Sequence, residues 1–168
     1  MIEIAPTIIQ KGRAAGRWLT TERTTARVEE FGGEPFATYR GFLGEQLFID
    51  FHGKCHLSNH WNYDIVTDKG NKIDVKTVAC GFKPKPHYCV NVISPDLNKF
   101  NCDPKDRPDI FVFFRILKDC SKAWLVGYKR LDEYKSGATF MPKGSTMGNM
   151  IFKRGDALVL EINKLERF

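Results

Sequence analysis

The spacing of apolar and polar positions changes character once along this chain. Up to about residue 53 the apolar residues recur at helical intervals, and beyond it they alternate in twos or run continuously. Residues 22–30 read as a short helix stopped by the Gly32-Gly33 pair. A second helix is predicted from Pro35, placed in its first turn, to about Phe51, and is closed by His52-Gly53. On it Phe36, Tyr39, Leu43 and Leu47 form one stripe and Phe42, Phe48 and Ile49 another, which predicts burial against a sheet with the opposite side covered too. WNYDIV (61–66) and NKIDVKTVA (71–79) read as strands joined at Asp68-Lys69-Gly70, and HYCVNVIS (87–94) as a third. DIFVFFRIL (109–117) is apolar on both faces and belongs near the middle of a sheet covered on both sides. AWLVGYKRL (123–131) and ALVLEI (157–162) add two strands, and 98–108 and 142–149 are turn-rich. The predicted fold is α/β, or α+β: a central mixed β-sheet flanked by helices.

Composition narrows this. The 168 residues, 42% hydrophobic and 12% aromatic, suffice for one core and not for two ordinary domains, so a single domain over 1–168 is expected. No apolar run approaches the roughly 18 residues that span a bilayer. MIEIAPTIIQKGR also lacks the basic-then-apolar order of a signal peptide. A soluble, cytoplasmic protein with no membrane partner is the expectation. Five cysteines without a CxxC pair predict reduced thiols. The net charge is +6, and Lys11, Arg13, Arg17, Arg23 and Arg27 concentrate part of it in a basic N-terminal arm over about residues 1–30. Such a cluster is a usable footprint for a polyanion, although charge alone does not assign one.

The acidic residues sharpen the picture. Side chains alternate along a strand, so in IDVKT (73–77) Asp74 and Lys76 share one face, and Ile73, Val75 and Thr77 share the packed one. A three-residue hairpin loop at Asp68-Lys69-Gly70, with glycine in the left-handed last position, pairs Thr67 with Asn71 and brings Asp64 opposite Asp74. Like charges facing one another across strands are destabilising, so positive charge is needed between them. Lys76 supplies part of it, and a hard divalent cation with oxygen ligands would satisfy both carboxylates. Glu45 lies between Phe42 and Ile49 on an apolar stripe of the second helix, where a carboxylate needs a partner. The hairpin face is one such partner and Arg40 another. Gly41 and Gly44 remove bulk that would hold this helix away from the strands. Against a functional reading, Asp-x-Lys on an exposed strand face is common, and a slip of one residue would break the register.

Glu45 on a helix, Asp64 in a strand, a short turn, and Asp74-Val75-Lys76 in the next strand resemble the PD-(D/E)xK nuclease superfamily. The resemblance covers roughly residues 40–94, and Tyr63 stands where the proline that names the motif would be. It implies a restriction-endonuclease-like core. It further implies that Asp64, Asp74 and the backbone carbonyl of Val75 hold Mg²⁺, with Mn²⁺ able to substitute. Lys76 would orient or help deprotonate the attacking water, and Glu45 would bind the same ion through water or bind a second one. Phosphodiester hydrolysis requires those services: charge neutralised on the phosphate, an activated water in line, and a stabilised leaving oxygen. His87, Tyr88 and Asn91, from the following strand region, and Arg13 and Arg17 in the basic arm are candidate substrate or phosphate contacts, with packing the alternative for the histidine and tyrosine.

The expected activity is thus Mg²⁺-dependent DNA endonuclease. So short a chain leaves little room for a separate sequence-reading domain, which favours structure-selective cleavage of the junction-resolvase or phage-endonuclease kind over restriction, repair nicking or exonuclease action. Cutting two strands implies a homodimer, with the apolar second helix as a candidate surface. The competing classes are a non-catalytic nucleic-acid-binding protein on the same fold and an α/β protein with no nucleic-acid role. A zinc site at His52, Cys55, His56 and His60 fits no common ligand spacing, and a polar loop accounts for these residues. Lys143-Gly-Ser-Thr lacks the residue order and preceding strand of a phosphate loop.

Overall fold

The computed structural model describes residues 1–7, 9–10, 35–93, 96–148, 150–153 and 155–168. The helix expected at 22–30 and the basic cluster from Lys11 to Arg27 lie outside the described residues. What is described is mixed α/β, with a mixed sheet and few helices. Strand β1 (Ile2–Glu3) precedes helix α1 (Pro35–His52). Then come β2 (Cys55–Leu57), β3 (Ile65–Thr67), β4 (Lys72–Cys80), β5 (Cys89–Ile93) and a 3₁₀ helix, Asp96–Asn101. Strands β6 (Ile110–Leu117) and β7 (Ala123–Arg130) lead into helix α2 (Leu131–Gly137). β8 (Thr139–Met141), β9 (Thr146–Met147), β10 (Met150–Ile151) and β11 (Ala157–Glu161) complete the order.

Among the described residues the main sheet has six strands in the order β1-β7-β6-β4-β3-β2, and of its pairings only β4 with β6 is parallel. β6 takes the interior position its two-sided apolarity predicts. Val112, Phe114 and Ile116 point to one face, where they meet Leu43, Leu47 and Phe48 of α1 together with Ile65, Ile73 and Val75. Phe111 and Phe113 point to the other, against Val90, Val92, Leu160 and Tyr134. That second layer contains a three-stranded antiparallel sheet, β5-β11-β8. Each large side chain enclosed this way contributes roughly 1.5–3 kcal/mol relative to exposure, so these two faces carry most of the fold's stability.

The hairpin that sets the candidate site forms in the expected register. Thr67 N–H donates to Asn71 O at 3.0 Å, Gly70 N–H donates to Thr67 O at 2.8 Å, and Ile65 pairs with Ile73. Gly70 has φ +81°, the left-handed value that closes a three-residue loop and that a β-carbon disfavours.

Three expectations are corrected. WNYDIV is a strand only from Ile65 onward, because polar side chains capture the backbone before it. Ser58 Oγ accepts from His60 N–H at 3.0 Å and His60 Nδ1 from Asn62 N–H at 3.2 Å, which diverts this stretch into a loop. Cys55–Leu57, within what reads as a polar loop, instead pairs with β3 as the sheet's edge. The helix expected to offer a dimer surface turns much of its apolar face into the chain: Phe42, Leu43, Leu47 and Phe48 are enclosed, and Asp50 and His52 face out.

Gly44 is where α1 meets β4. A β-carbon there would lie 1.9 Å from Thr77 Oγ1 and 3.1 Å from Thr77 Cβ, whereas Gly41 has open space around it. Threonine is stiff at χ1 and cannot swing clear easily. We predict that Gly44→Ala lowers unfolding free energy by about 1–3 kcal/mol in thermal or urea melts. Thr77→Ala should recover part of that loss, since Thr77 Oγ1 is buried without a hydrogen-bond partner among the described residues.

Candidate active site

Asp74 is almost fully buried, at 1% exposure, yet it is a charged residue inside a sheet. Two lysines make this tolerable. Lys76, two residues on along β4, places Nζ 2.8 Å from Asp74 Oδ1, and Lys99, from the 3₁₀ helix, places Nζ 2.6 Å from Oδ2. Asp96 then joins both lysines, at 2.7 Å from Lys76 and 3.0 Å from Lys99. In a 3₁₀ helix residues three apart eclipse one another, which is why Asp96 and Lys99 present a single face to the strand.

Asp64 occupies the other side of β4. Strand β3 pairs with β4 only as far as Ile65 opposite Ile73, and just beyond that pair the Asp64 carboxylate continues the ladder, Oδ2 accepting from Val75 N–H at 2.7 Å. A strand residue's N–H and C=O point to the same edge, so the Val75 carbonyl also faces the side of Asp64, past the end of β3. Glu45, 7% exposed, approaches from α1 where Gly44 lets the helix close on the strand. Glu45, Asp64, Asp74, Val75 and Lys76 line one cleft of about 550 Å³, together with Trp61, Asn62, Asp96, Asn98 and Lys99.

The electrostatics of the two aspartates diverge. Burial pushes Asp64 well above the usual carboxylate range, and the charges of Asp74 and Glu45 push it further, more than Lys76 and Lys99 can offset. The residue as a whole is only partly buried, but its carboxylate is packed among protein atoms and against like charge. Burial acts in the same direction on Asp74, but there Lys76 and Lys99 prevail and hold the carboxyl below its ordinary value. Burial would lower Lys76, but Asp74, Asp96 and Asp64 outweigh it and hold the ammonium protonated far above its ordinary value. The positive charge that opposed aspartates demand is therefore supplied by protein at Asp74, and supplied incompletely at Asp64.

No protein-family model matches this chain, and no curated protein does either.

The remaining candidates fall elsewhere. β5 belongs to the second sheet and does not neighbour β4, so none of His87, Tyr88 and Asn91 lines the cleft. His87 is exposed with its ring edge-on to Tyr88 at 4.9 Å, Tyr88 packs on the second core, and Asn91 is registered with Val159. Arg13 and Arg17 lie outside the described residues. His52 stacks on Phe48 and His60 on Tyr63. Among the described residues, no group of three or more His, Cys, Asp or Glu side chains is placed to hold a metal ion. Among the described residues, too, no helix is long and apolar enough to cross a membrane.

Lys99 and Asp96 are the residues that sequence reasoning missed. Their signal was present in Pro95-Asp96-Leu97-Asn98-Lys99, an acid and a base three apart directly after a proline, but 98–108 read simply as turn-rich.

Proposed function

We propose that this chain is a Mg²⁺-dependent DNA endonuclease with a restriction-endonuclease-like core. The observation that carries the reading is the convergence of Glu45 from a helix, Asp64 from a strand end, and Asp74 and Lys76 from the adjoining strand on one cleft. The donor set suits Mg²⁺: two carboxylates and a carbonyl are hard oxygen ligands, and Asp64 is a carboxylate raised by burial and by its acidic neighbours, which a cation would relieve. Asp64, Asp74 and the Val75 carbonyl would hold the ion, with Glu45 beside them, and Mn²⁺ would substitute. When bound, such an ion neutralises charge on the scissile phosphate and lowers the pKa of water.

The chain's own residues do the rest. Lys76, kept protonated by its three aspartates, acts as a cationic donor that orients the attacking water or steadies a phosphate oxygen, and not as the base. Recognition through phosphate contacts and DNA shape, with branched substrates preferred over a defined sequence, completes the proposal. A homodimer remains part of the proposal because two strands must be cut, and its contact would lie away from the buried residues of α1.

A second reading is favoured by one observation. Lys76 and Lys99 already engage both oxygens of Asp74, as they would in a nucleic-acid-binding protein that has given up its metal. Supercoiled plasmid, linear duplex and a four-way junction, each incubated with Mg²⁺ or EDTA, separate the two. Cleavage that needs Mg²⁺ and disappears in Asp74→Ala and Lys76→Ala supports the enzyme. Binding without cutting supports the second reading, and neither would remove nucleic acid from the account.

A further inference from the structure

Trp61 is 67% exposed and lines the lip of the cleft that holds Asp64, Asp74 and Lys76. An indole that stays mostly exposed at the lip of a cleft keeps a π-face within reach of a ligand, and a rigid support fixes where that face stands. Its support is rigid. Ser58 N–H donates to Asp64 O at 2.7 Å, which closes the loop that carries the ring. Inside the loop the His60 ring stacks on Tyr63 at 4.4 Å with only 9° between planes. Asn62 Nδ2 donates to Asp106 O at 2.8 Å, and His60 Nε2 lies 3.7 Å from Asp106 Oδ1. Lys72 Nζ binds the carbonyls of Pro104 and Lys105 at 3.0 and 2.7 Å, which fixes the facing loop in turn. The side chains on either side of Trp61 are thus tied down, and the mostly exposed indole stands at the cleft beside the acidic cluster.

Resting on the nuclease reading above, we propose that Trp61 stacks on a nucleobase next to the scissile phosphate, and that the substrate class is DNA with an unstacked base at that position, such as a flap, loop or branch point. A phosphate in the cleft brings its own nucleotide's base to the cleft lip, where the indole offers a π-face that any base can use. In a continuous duplex that base is held between its neighbours and is not available without flipping, which costs stacking and pairing. Where the base is already unstacked the indole gains a contact without that cost. Trp61 therefore acts as a positioning and specificity residue, and its preference is for structure over sequence.

The test uses the full chain and two substrates of identical sequence, a linear duplex and a flap carrying unpaired bases at its branch. With Mg²⁺, Trp61→Ala should lower kcat/KM on the flap by about tenfold while changing nicking of the duplex less than twofold, and Trp61→Phe should restore most of the loss. In EDTA, 2-aminopurine scanned through the branch should be quenched by the wild type at one position and by Trp61→Ala at none. Equal losses on both substrates, or quenching unchanged in Trp61→Ala, would overturn the proposal. So would a change in sedimentation coefficient alone, which would assign the ring to contact between copies. A wild type that cuts neither substrate overturns the nuclease reading, and the quenching arm still decides Trp61.

Discussion

Asp64→Asn should stabilise the metal-free protein, and Asp74→Asn should destabilise it, although each substitution is expected to reduce cleavage by at least about 10²-fold. The two aspartates serve one cleft, and the opposition arises from what surrounds them. Asp64 is raised by burial and by Asp74 and Glu45, so its charged form is disfavoured in the fold. The amide introduced by Asp64→Asn would keep an oxygen for Val75 N–H and remove the like charge, a gain on the order of 1–3 kcal/mol. Asp74 is held by Lys76 and Lys99, and Asp74→Asn leaves two largely enclosed ammonium groups with Asp96 as their direct ion-pair partner among the described residues, and Asp64 at longer range from Lys76. Breaking a buried pair costs about 3–5 kcal/mol, and the retained Asp96 contacts place this loss near about 2–3 kcal/mol.

The pH dependence carries the same signs. For Asp64 the folded value lies above the unfolded one, near 3.9, so its contribution is intact below about pH 4 and is lost as pH rises through the folded value. For Asp74 the folded value is depressed, so its contribution is present above about pH 4 and lost as pH falls through the folded value. Urea melts of the EDTA-treated protein across pH 3 to about 8 should show the Asp64→Asn curve diverging upward from wild type as pH rises. The Asp74→Asn curve should converge on wild type at the acid end. Mg²⁺ should raise the wild-type melting temperature and leave both variants nearly unmoved. If the two substitutions shift stability in the same direction, the asymmetry assigned to this pair is wrong.

How much of this was legible beforehand follows from the range of each interaction. The hairpin register could be counted from Gly70 because a three-residue loop admits one pairing, and it brought Asp64 and Asp74 to the same level of the sheet. Gly44 and Glu45 followed from helix phase, since a glycine and a carboxylate on a buried stripe each imply a close neighbour. The central place of β6 followed from apolarity on both faces. What the pattern could not reveal depends on contacts distant in sequence. β5 reads like any other strand, and nothing local says that it pairs with β11 in a second sheet, away from β4. Trp61 to Asp64 have strand-like composition, and only the side-chain bonds around Asn62 and the facing Asp106 turn them into a loop. Lys99 was out of reach for the same reason: it lies 25 residues from the carboxylate it meets, in a segment without periodicity.

Lys99→Met should lower the Mg²⁺ concentration for half-maximal cleavage by about tenfold, which corresponds to about 1.4 kcal/mol. Lys99 Nζ sits 2.6 Å from Asp74 Oδ2, and an ion that takes that oxygen must first displace the ammonium. Methionine fills a similar volume without the charge, so the competitor is removed while the packing around the 3₁₀ helix is largely kept. Lys76 remains on Oδ1, and the depression of Asp74 should persist in weaker form, which keeps the carboxylate available to a cation. Lys99→Arg separates charge from fit: it keeps a cation at Asp74 and should leave the Mg²⁺ requirement close to wild type. Titrating Mg²⁺ calorimetrically in the absence of DNA isolates this competition from any role of Lys99 toward phosphate. A role of the second kind would appear separately, as a raised KM and a shallower salt dependence of DNA binding in EDTA. Unchanged or weaker Mg²⁺ binding in Lys99→Met would mean that Lys99 does not stand in for the ion, and that Asp74 is tied to its lysines as part of the fold.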